Sequence, residues 1–170
     1  MDLSDALSYA HLIEKNIRLR TSFTSYIVGS IRRKMQKIKD IDILIVTPQY
    51  VDHIFDDMEL VSRRLSVKKI VSRGDRRCRL IIEDDRNRHI IKCDLFYATK
   101  TELPFALLHH TGSKEYLQRI RYIAKCRGMI LNQYGIYNRE TNRELGKHMK
   151  TESDIQKYLN ITERAPRDRV

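Results

Sequence analysis

Residues 29–46 read GSIRRKMQKIKDIDILIV, and this stretch decides how the chain folds. It opens with a glycine and a serine, passes through five basic residues and ends in an apolar run that Asp40 and Asp42 interrupt. The run predicts a strand that begins at Asp40 and that the following Thr-Pro pair ends. Because side chains on a strand alternate, Asp40 and Asp42 share one face while Ile41 and Ile43 point into apolar surroundings.

Asp40 and Asp42 are the first candidates for chemistry. Two like charges at the mouth of a buried strand repel each other, and a divalent cation such as Mg²⁺ offsets that repulsion. Asp94, in the predicted strand IIKCDLFY, completes a cluster of three carboxylates if the two strands are neighbours. The alternative is a solvated strand end, with Asp94 an ordinary polar residue on a sheet face.

The residues before this strand favour the metal interpretation. A predicted strand over residues 21–28 ends in a tight turn at Gly29 and Ser30. Gly29 lets the backbone approach a phosphate, Ser30 supplies a hydroxyl, and the forked guanidinium of Arg33 suits phosphate oxygens. An anion clamp beside a carboxylate cluster suits chemistry on a nucleoside triphosphate.

The rest of the chain predicts strands first and helices later, which is typical of an α+β protein with two lobes. The boundary is expected at about Lys100 to Pro104, because the signals after it are helical. The other predicted elements are a helix over residues 3–19, a helix over 51–60, a hairpin of 65–71 and 78–82 that turns at 72–75, a strand over 89–96, helices over 103–110 and 113–128, a short hairpin around 131 and 136, and a helix over 152–159.

Composition narrows the class of partner. The 170 residues contain 33 Lys and Arg against 22 Asp and Glu, a net charge of +11, which favours a polyanion as partner over a merely soluble surface. No apolar run is long enough to span a membrane, and charges interrupt the first 19 residues, so neither a membrane contact nor a signal peptide is expected. The three widely spaced cysteines predict free thiols in a reducing compartment inside the cell.

Two basic strips are candidates for contact with nucleic acid. Residues 63–79 carry eight bases and a single acid, and the predicted helix after residue 113 carries a second strip. Such contacts are independent of base sequence and sensitive to salt, and the alternative is a solvated face. The candidates are Lys68, Lys69, Arg73, Arg76, Arg77, Arg79, Arg119, Arg121, Lys125 and Arg127, with Tyr134 able to stack on a base.

The Gly-Ser turn, the paired arginines and the Asp-x-Asp strand resemble the signature of the nucleotidyltransferase superfamily, and their spacing is similar to that of the family X DNA polymerases. Four later blocks continue the resemblance, which covers nearly the whole chain from about Ser25. They are Asp94 in KCDL, the third metal ligand; HHTGS at 109–113, the turn between palm and thumb; GMILNQYGIY at 128–137, the thumb hairpin; and ERAP at 163–166, which leads into the closing segment.

The resemblance implies a fold and an architecture. It implies a nucleotidyltransferase palm over residues 1–99, a mixed sheet with helices on one face, and a small helical thumb with a short hairpin over residues 100–170. We expect palm and thumb only, because 170 residues leave no room for the family's lyase and fingers domains.

The resemblance also implies two-metal nucleotidyl transfer. Asp40 and Asp42 would hold the nucleotide-bound Mg²⁺, and all three aspartates the catalytic one, with Mn²⁺ as an alternative. Arg121 would reach the template strand. The residues implied at the nucleotide are Gly29, Ser30, Arg33, Lys39, His109, His110 and Gly112.

The function implied is template-directed synthesis that fills short gaps in DNA repair. Its partners would be gapped or nicked DNA, deoxynucleoside triphosphates and a DNA ligase, and we expect a monomer. Leu117 stands where the family has a base-contacting Asn, so low fidelity is a hypothesis. The alternatives are a template-independent terminal or RNA-tail-adding nucleotidyltransferase and a non-catalytic DNA-binding relative.

Overall fold

A computed structural model describes residues 1–21, 23–47 and 64–169, so the predicted helix over 51–60 lies outside the described residues. The elements in chain order are α1 (Leu3–Thr21), β1 (Thr24–Ile27), α2 (Gly29–Arg32), β2 (Ile41–Thr47), β3 (Leu65–Gly74), β4 (Arg77–Asp84), β5 (Ile90–Thr99), α3 (Leu103–Thr111), α4 (Lys114–Cys126), β6 (Met129–Leu131), β7 (Ile136–Asn138), α5 (Glu152–Tyr158) and a 3₁₀ turn (Pro166–Asp168).

Within the described residues, five strands form a mixed sheet in the order β1-β2-β5-β4-β3, in which β2 and β5 run parallel and the other neighbours antiparallel. The strand β2 is apolar on both faces because both are covered. Ile43 packs in the core with α1 and α2, while Leu44 packs on the other face against Ala106 of α3. The predicted α+β class with a mixed sheet is confirmed.

A second core lies beneath the helical lobe, where α3, α4, α5 and the β6–β7 hairpin meet. Ser113 caps α4 by accepting a hydrogen bond from the Tyr116 amide, and Gly128 follows the end of α4 with φ +70°, as the helix prediction requires. Helix α3 belongs to both cores, because Ala106 packs on the sheet and Phe105 packs in the helical lobe. The division into residues 1–99 and 100–170 therefore stays a prediction.

Two local predictions are wrong. Gly29 and Ser30 do not form a tight turn but begin the one-turn helix α2. The β3–β4 hairpin turns at Asp75 and Arg76 rather than at 72–75, because β3 continues to Gly74 and carries two register shifts that keep it paired with β4. No helix in the described ranges is both long and apolar enough to cross a bilayer.

Candidate active site

The three predicted carboxylates converge. The parallel register of β2 and β5 places Asp42 opposite Asp94, and Asp40 lies directly before β2. One oxygen from each of the three side chains lies within 4.8 Å of the other two. Asp94 is buried and the other two are half-buried. The sheet register thus brings together residues that are far apart in the sequence.

The three carboxylates repel one another, and the effect is largest at Asp42. Burial together with the neighbouring charges of Asp40 and Asp94 raises the pKa of Asp42 to about 7, although Arg77 and Arg33 oppose the shift. Three carboxylates that repel each other across so short a distance are a donor set that fits a hard divalent cation. The geometry therefore supports the metal-ligand interpretation of all three residues.

Gly29 has a structural reason to be glycine. Its φ is +62°, and a Cβ built on it would lie 2.0 Å from Oδ2 of Asp42. Any side chain would push the Asp42 carboxylate away, and the left-handed backbone would be strained as well. The glycine was predicted to let the backbone approach a phosphate. In the structure the Gly29 backbone approaches the Asp42 carboxylate, so the start of α2 packs directly against the carboxylate cluster.

Arg33 reaches from α2 to the end of α3. It donates to the backbone oxygen of Thr111, and its Nη1 lies where a side chain on Gly112 would sit, because a Cβ there would meet it at 3.1 Å. Burial lowers the pKa of Arg33. Its Nε is buried and has no hydrogen-bond partner among the described residues. Arg33 is therefore close to the Gly112–Ser113 peptide, which is cis.

A cleft of about 500 Å³ opens over the carboxylates, and the two histidines line it. The ring of His110 stacks on Phe96 with centroids 4.0 Å apart, and Nη2 of Arg121 donates to Nδ1 of His109 at 2.6 Å. Burial lowers the pKa of His109 to about 4 and that of His110 to about 3. Both rings are therefore neutral at neutral pH. The cleft is lined by Asp40, Asp42, Arg76, Arg77, Arg79, Asp94, Phe96, Tyr97, His109, His110, Gln133 and Tyr134.

Arg77 and Arg79 lie at the carboxylates rather than on the outer side of the hairpin. Nη2 of Arg77 is 2.7 Å from Oδ2 of Asp94, and Arg79 places Nε 2.8 Å from Oδ1 and Nη2 2.9 Å from Oδ2. These hydrogen bonds lower the pKa of Asp94 against the opposing effect of burial, which is the largest single contribution. Contact of the two arginines with DNA stays a prediction.

Several of the other predicted DNA contacts have exposed side chains, and so does Lys39, which was predicted to contact the nucleotide; the DNA candidates are Lys68, Lys69, Arg73, Arg119, Lys125 and Arg127. Some of the predicted DNA contacts interact with other parts of the protein: Lys68 pairs with Glu83 at 3.0 Å, Arg76 pairs with Glu102 at 2.9 Å, and Arg127 donates to the backbone oxygen of Leu159 at 2.5 Å. Arg127 thus fastens the end of α4 to the end of α5.

Two features of the structure were absent from the sequence interpretation. Glu152, the first residue of α5, accepts from Arg32 of α2 at 2.5 and 3.0 Å and from Arg169 at 2.5 Å. Arg169 is only 2% exposed. Gln133 lines the cleft beside Tyr134. The thumb-hairpin block contained Gln133, whereas no pattern in the sequence links Arg32 to Glu152.

The sheet, its carboxylate cluster and the helical lobe together define a nucleotidyltransferase with a polymerase-type thumb. Residues 106–170 match the DNA polymerase beta thumb. The chain is 37% identical to a repair DNA polymerase X of African swine fever virus over 145 residues, 84% of this chain and 79% of the relative.

More distant similarity extends to cellular proteins. A DNA polymerase/3′-5′ exonuclease PolX of Bacillus subtilis is 29% identical over 79% of this chain and 23% of its own length. The DNA polymerase lambda of Rattus norvegicus is 27% identical over 83% of this chain and 28% of its own length. The chain belongs to family X of the DNA polymerases.

Proposed function

We propose that this family X polymerase fills short gaps in duplex DNA by copying the template strand. The observation that carries the proposal is the register of Asp42 with Asp94, which assembles the carboxylate cluster beside α2. The helical lobe supports templated synthesis over other nucleotidyl transfer, because residues 106–170 match a polymerase thumb. The palm would be residues 1–99 and the thumb residues 100–170.

Asp40, Asp42 and Asp94 would hold two divalent cations, Mg²⁺ or alternatively Mn²⁺. When bound, such a pair of ions activates the primer hydroxyl and neutralises charge on the triphosphate as pyrophosphate leaves. The protein's part is to fix the three carboxylates. The sheet does so for Asp42 and Asp94, since both belong to paired strands, and Gly29 leaves room for the carboxylate of Asp42.

Ser30, Arg33 and Lys39 would bind the phosphates of the incoming nucleotide. Ser30 lies at the start of α2 and Arg33 at its C-cap, so one short helix holds both beside Asp42. The unpartnered Nε of Arg33 supports this role, because a phosphate oxygen would satisfy it. Gly112 gives Arg33 the space it occupies.

His109 and His110 would lie under the sugar of the nucleotide. Their neutral state and the stacking of His110 on Phe96 make a flat, uncharged surface beside the carboxylates. Arg121, held by His109, would reach the template strand. Exposed cations on α4 and on the β3–β4 hairpin would bind the phosphate backbone without reading base sequence. We further propose that the protein acts as a monomer and hands nicked product to a DNA ligase.

The test is Mg²⁺-dependent extension of a primer across a one-nucleotide gap, with each nucleotide offered separately. We expect insertion that follows the template, is lost in Asp94→Ala and is retained in Asp85→Ala, which removes an exposed carboxylate. Addition that ignores the template would instead indicate a terminal or tail-adding enzyme. Salt-sensitive DNA binding with no addition would indicate a non-catalytic relative.

The same extension assay tests the hypothesis of low fidelity. Leu117 offers no hydrogen bond to a base edge, so matched and mismatched nucleotides are expected to differ little in kcat/KM. Discrimination above roughly a thousandfold, about 4 kcal/mol, would contradict this expectation.

A further inference from the structure

The carboxylate of Asp94 is already fully engaged by two cations. The antiparallel register of β4 and β5 places Arg79 opposite Asp94, and its guanidinium spans both carboxylate oxygens at 2.8 and 2.9 Å. Arg77, two residues earlier on the same face of β4, adds a bond of 2.7 Å to Oδ2. Two positive charges therefore satisfy the only negative charge that β5 brings to the cluster.

This engagement competes with the role proposed for Asp94. A carboxylate oxygen that accepts hydrogen bonds has fewer lone pairs for a cation, and two guanidinium groups within bonding distance repel a divalent ion. As long as Arg77 and Arg79 hold Asp94, the cluster binds a cation mainly through Asp40 and Asp42. Full ligation by Asp94 requires the two arginines to move.

The side chains of both arginines are exposed enough to change conformation without disturbing the core. Their side chains are 47% and 42% exposed, whereas that of Asp94 is 5% exposed. They line the cleft that the nucleic acid would enter, and the guanidinium of Arg77 lies 5.4 Å from the centre of the Phe96 ring at the cleft wall. A phosphate of a nucleic-acid strand offers a guanidinium fork the same bidentate geometry as a carboxylate.

We propose that Arg77 and Arg79 are positioning residues that hold Asp94 while the cleft is empty and transfer to primer-strand phosphates when DNA enters. The transfer frees Asp94 to ligate a divalent cation. This inference rests on the proposed polymerase function and adds to it a coupling between DNA and metal. Linkage makes the coupling reciprocal, so DNA strengthens metal binding by the same factor by which metal strengthens DNA binding.

The experiment measures Mn²⁺ binding to the full chain without nucleotide, from the free-ion electron paramagnetic resonance signal. The variant is Arg77→Gln with Arg79→Gln. Its matched control is Arg88→Gln with Lys147→Gln, which removes two cations paired with Glu83 at 2.6 Å and with Glu144 at 3.8 Å and leaves Asp94 untouched. Each protein is titrated alone and with gapped DNA, and the DNA is titrated alone in parallel.

We expect the arginine variant to bind Mn²⁺ roughly tenfold more tightly than the wild type in the absence of DNA. Gapped DNA should tighten Mn²⁺ binding to the wild type and the control but leave the variant unchanged. Arg79→Lys, which keeps the charge but loses the fork, should fall between wild type and variant. This single replacement keeps the test valid if the double variant fails to fold.

Equal Mn²⁺ affinity of wild type, Arg79→Lys and the double variant, with or without DNA, would overturn the inference. Templated extension by the same wild-type protein would then leave the polymerase function standing. If the wild-type protein shows no templated extension, the proposed function is refuted, whatever the Mn²⁺ affinities are.

Discussion

The guanidinium of Arg76 lies 5.2 Å from the ring centre of Tyr134 and 5.0 Å from that of Tyr97. Arg76 belongs to the turn between β3 and β4, and Tyr134 to the turn of the β6–β7 hairpin. Arg76 also pairs with Glu102 at 2.9 Å, just before α3. One cation therefore joins the sheet to the helical lobe at the rim of the cleft.

This bridge should appear as a coupling energy. A double-mutant cycle of Arg76→Gln and Tyr134→Leu, measured by urea unfolding, should give about 0.5–1 kcal/mol, because the cation–π contact is partly exposed. A second cycle that pairs Arg76→Gln with Tyr158→Leu is the control, since Tyr158 is similarly exposed at 40%. Zero coupling in the first cycle would mean that the contact contributes nothing to joining the lobes.

Gly29→Ala should disable the carboxylate cluster without unfolding the protein. The added Cβ would lie 2.0 Å from Oδ2 of Asp42 and would force the carboxylate out of the cluster. We expect Mn²⁺ affinity and gap filling to fall at least tenfold, since one ligand is displaced. Gly74→Ala is the control, because its nearest neighbour would be 3.9 Å away. Equal effects of the two replacements would contradict this reading of Gly29.

Glu152→Ala should be among the most destabilising single changes. It would leave Arg169, which is 2% exposed, without its carboxylate partner and would also release Arg32. Breaking one side of a buried ion pair costs about 3 kcal/mol. Urea unfolding measures the loss, with Glu140→Ala as an exposed control. A loss below about 1 kcal/mol would show that the network does not hold α5 to α2.

Asp84 predicts a pH dependence of stability. Hydrogen bonds from Arg64, together with those from the Arg86 amide and the Tyr9 hydroxyl, lower its pKa from an ordinary value of 3.8 to about 2, although burial opposes the shift. A depressed carboxyl pKa stabilises the fold above the ordinary value, and this contribution is lost as the pH falls from 3.8 towards 2. Asp84→Asn should therefore cost about 2 kcal/mol at pH 7 and little near pH 2.

Urea unfolding of wild type and Asp84→Asn across that pH range measures the difference. Asp85→Asn, at an exposed neighbouring position, is the control. A difference between wild type and Asp84→Asn that does not shrink in acid would exclude this ionisation as its source.

Replacing cations on and just after α4 should show which of them bind DNA and which stabilise the fold. Arg119→Gln and Lys125→Gln, both exposed, should each reduce the slope of log K against log salt by about 1 and leave the melting temperature unchanged. Arg127→Gln should lower the melting temperature instead, because the 2.5 Å bond to the Leu159 oxygen is lost. Fluorescence anisotropy of labelled gapped DNA across a salt series measures the slopes. An unchanged slope for Arg119→Gln would remove α4 from the DNA interface.

Local signals in the sequence predict much of this structure. The apolar spacing after Ser113 predicts α4, and the Asp-x-Asp spacing predicts a shared face for Asp40 and Asp42, because both depend only on neighbouring residues. The engagement of Asp94 by Arg79 could not be predicted in this way. It depends on the β4–β5 register, and the adjoining hairpin turns at Asp75 and Arg76, later than the predicted turn over residues 72–75.

Contacts between segments that are distant in the sequence could not be predicted from local patterns either. Arg32 and Glu152 meet only because α2 and α5 both pack against α3. The sequence of neither segment contains a pattern that predicts contact with the other. For Gly29 the residue was predicted to matter, but the structural reason was not. Its identity was noticed, but the neighbour that requires it, Asp42, was apparent only from the packing of α2 on β2.

The parallel pairing of β2 with β5 also has a consequence for how the protein is made. Asp42 leaves the ribosome long before Asp94, and the two come together only when β5 pairs with β2. Such long-range pairing is slow compared with the formation of local helices. A nascent or truncated chain that ends before β5 therefore has the first two aspartates but not the third, so its carboxylate cluster is incomplete.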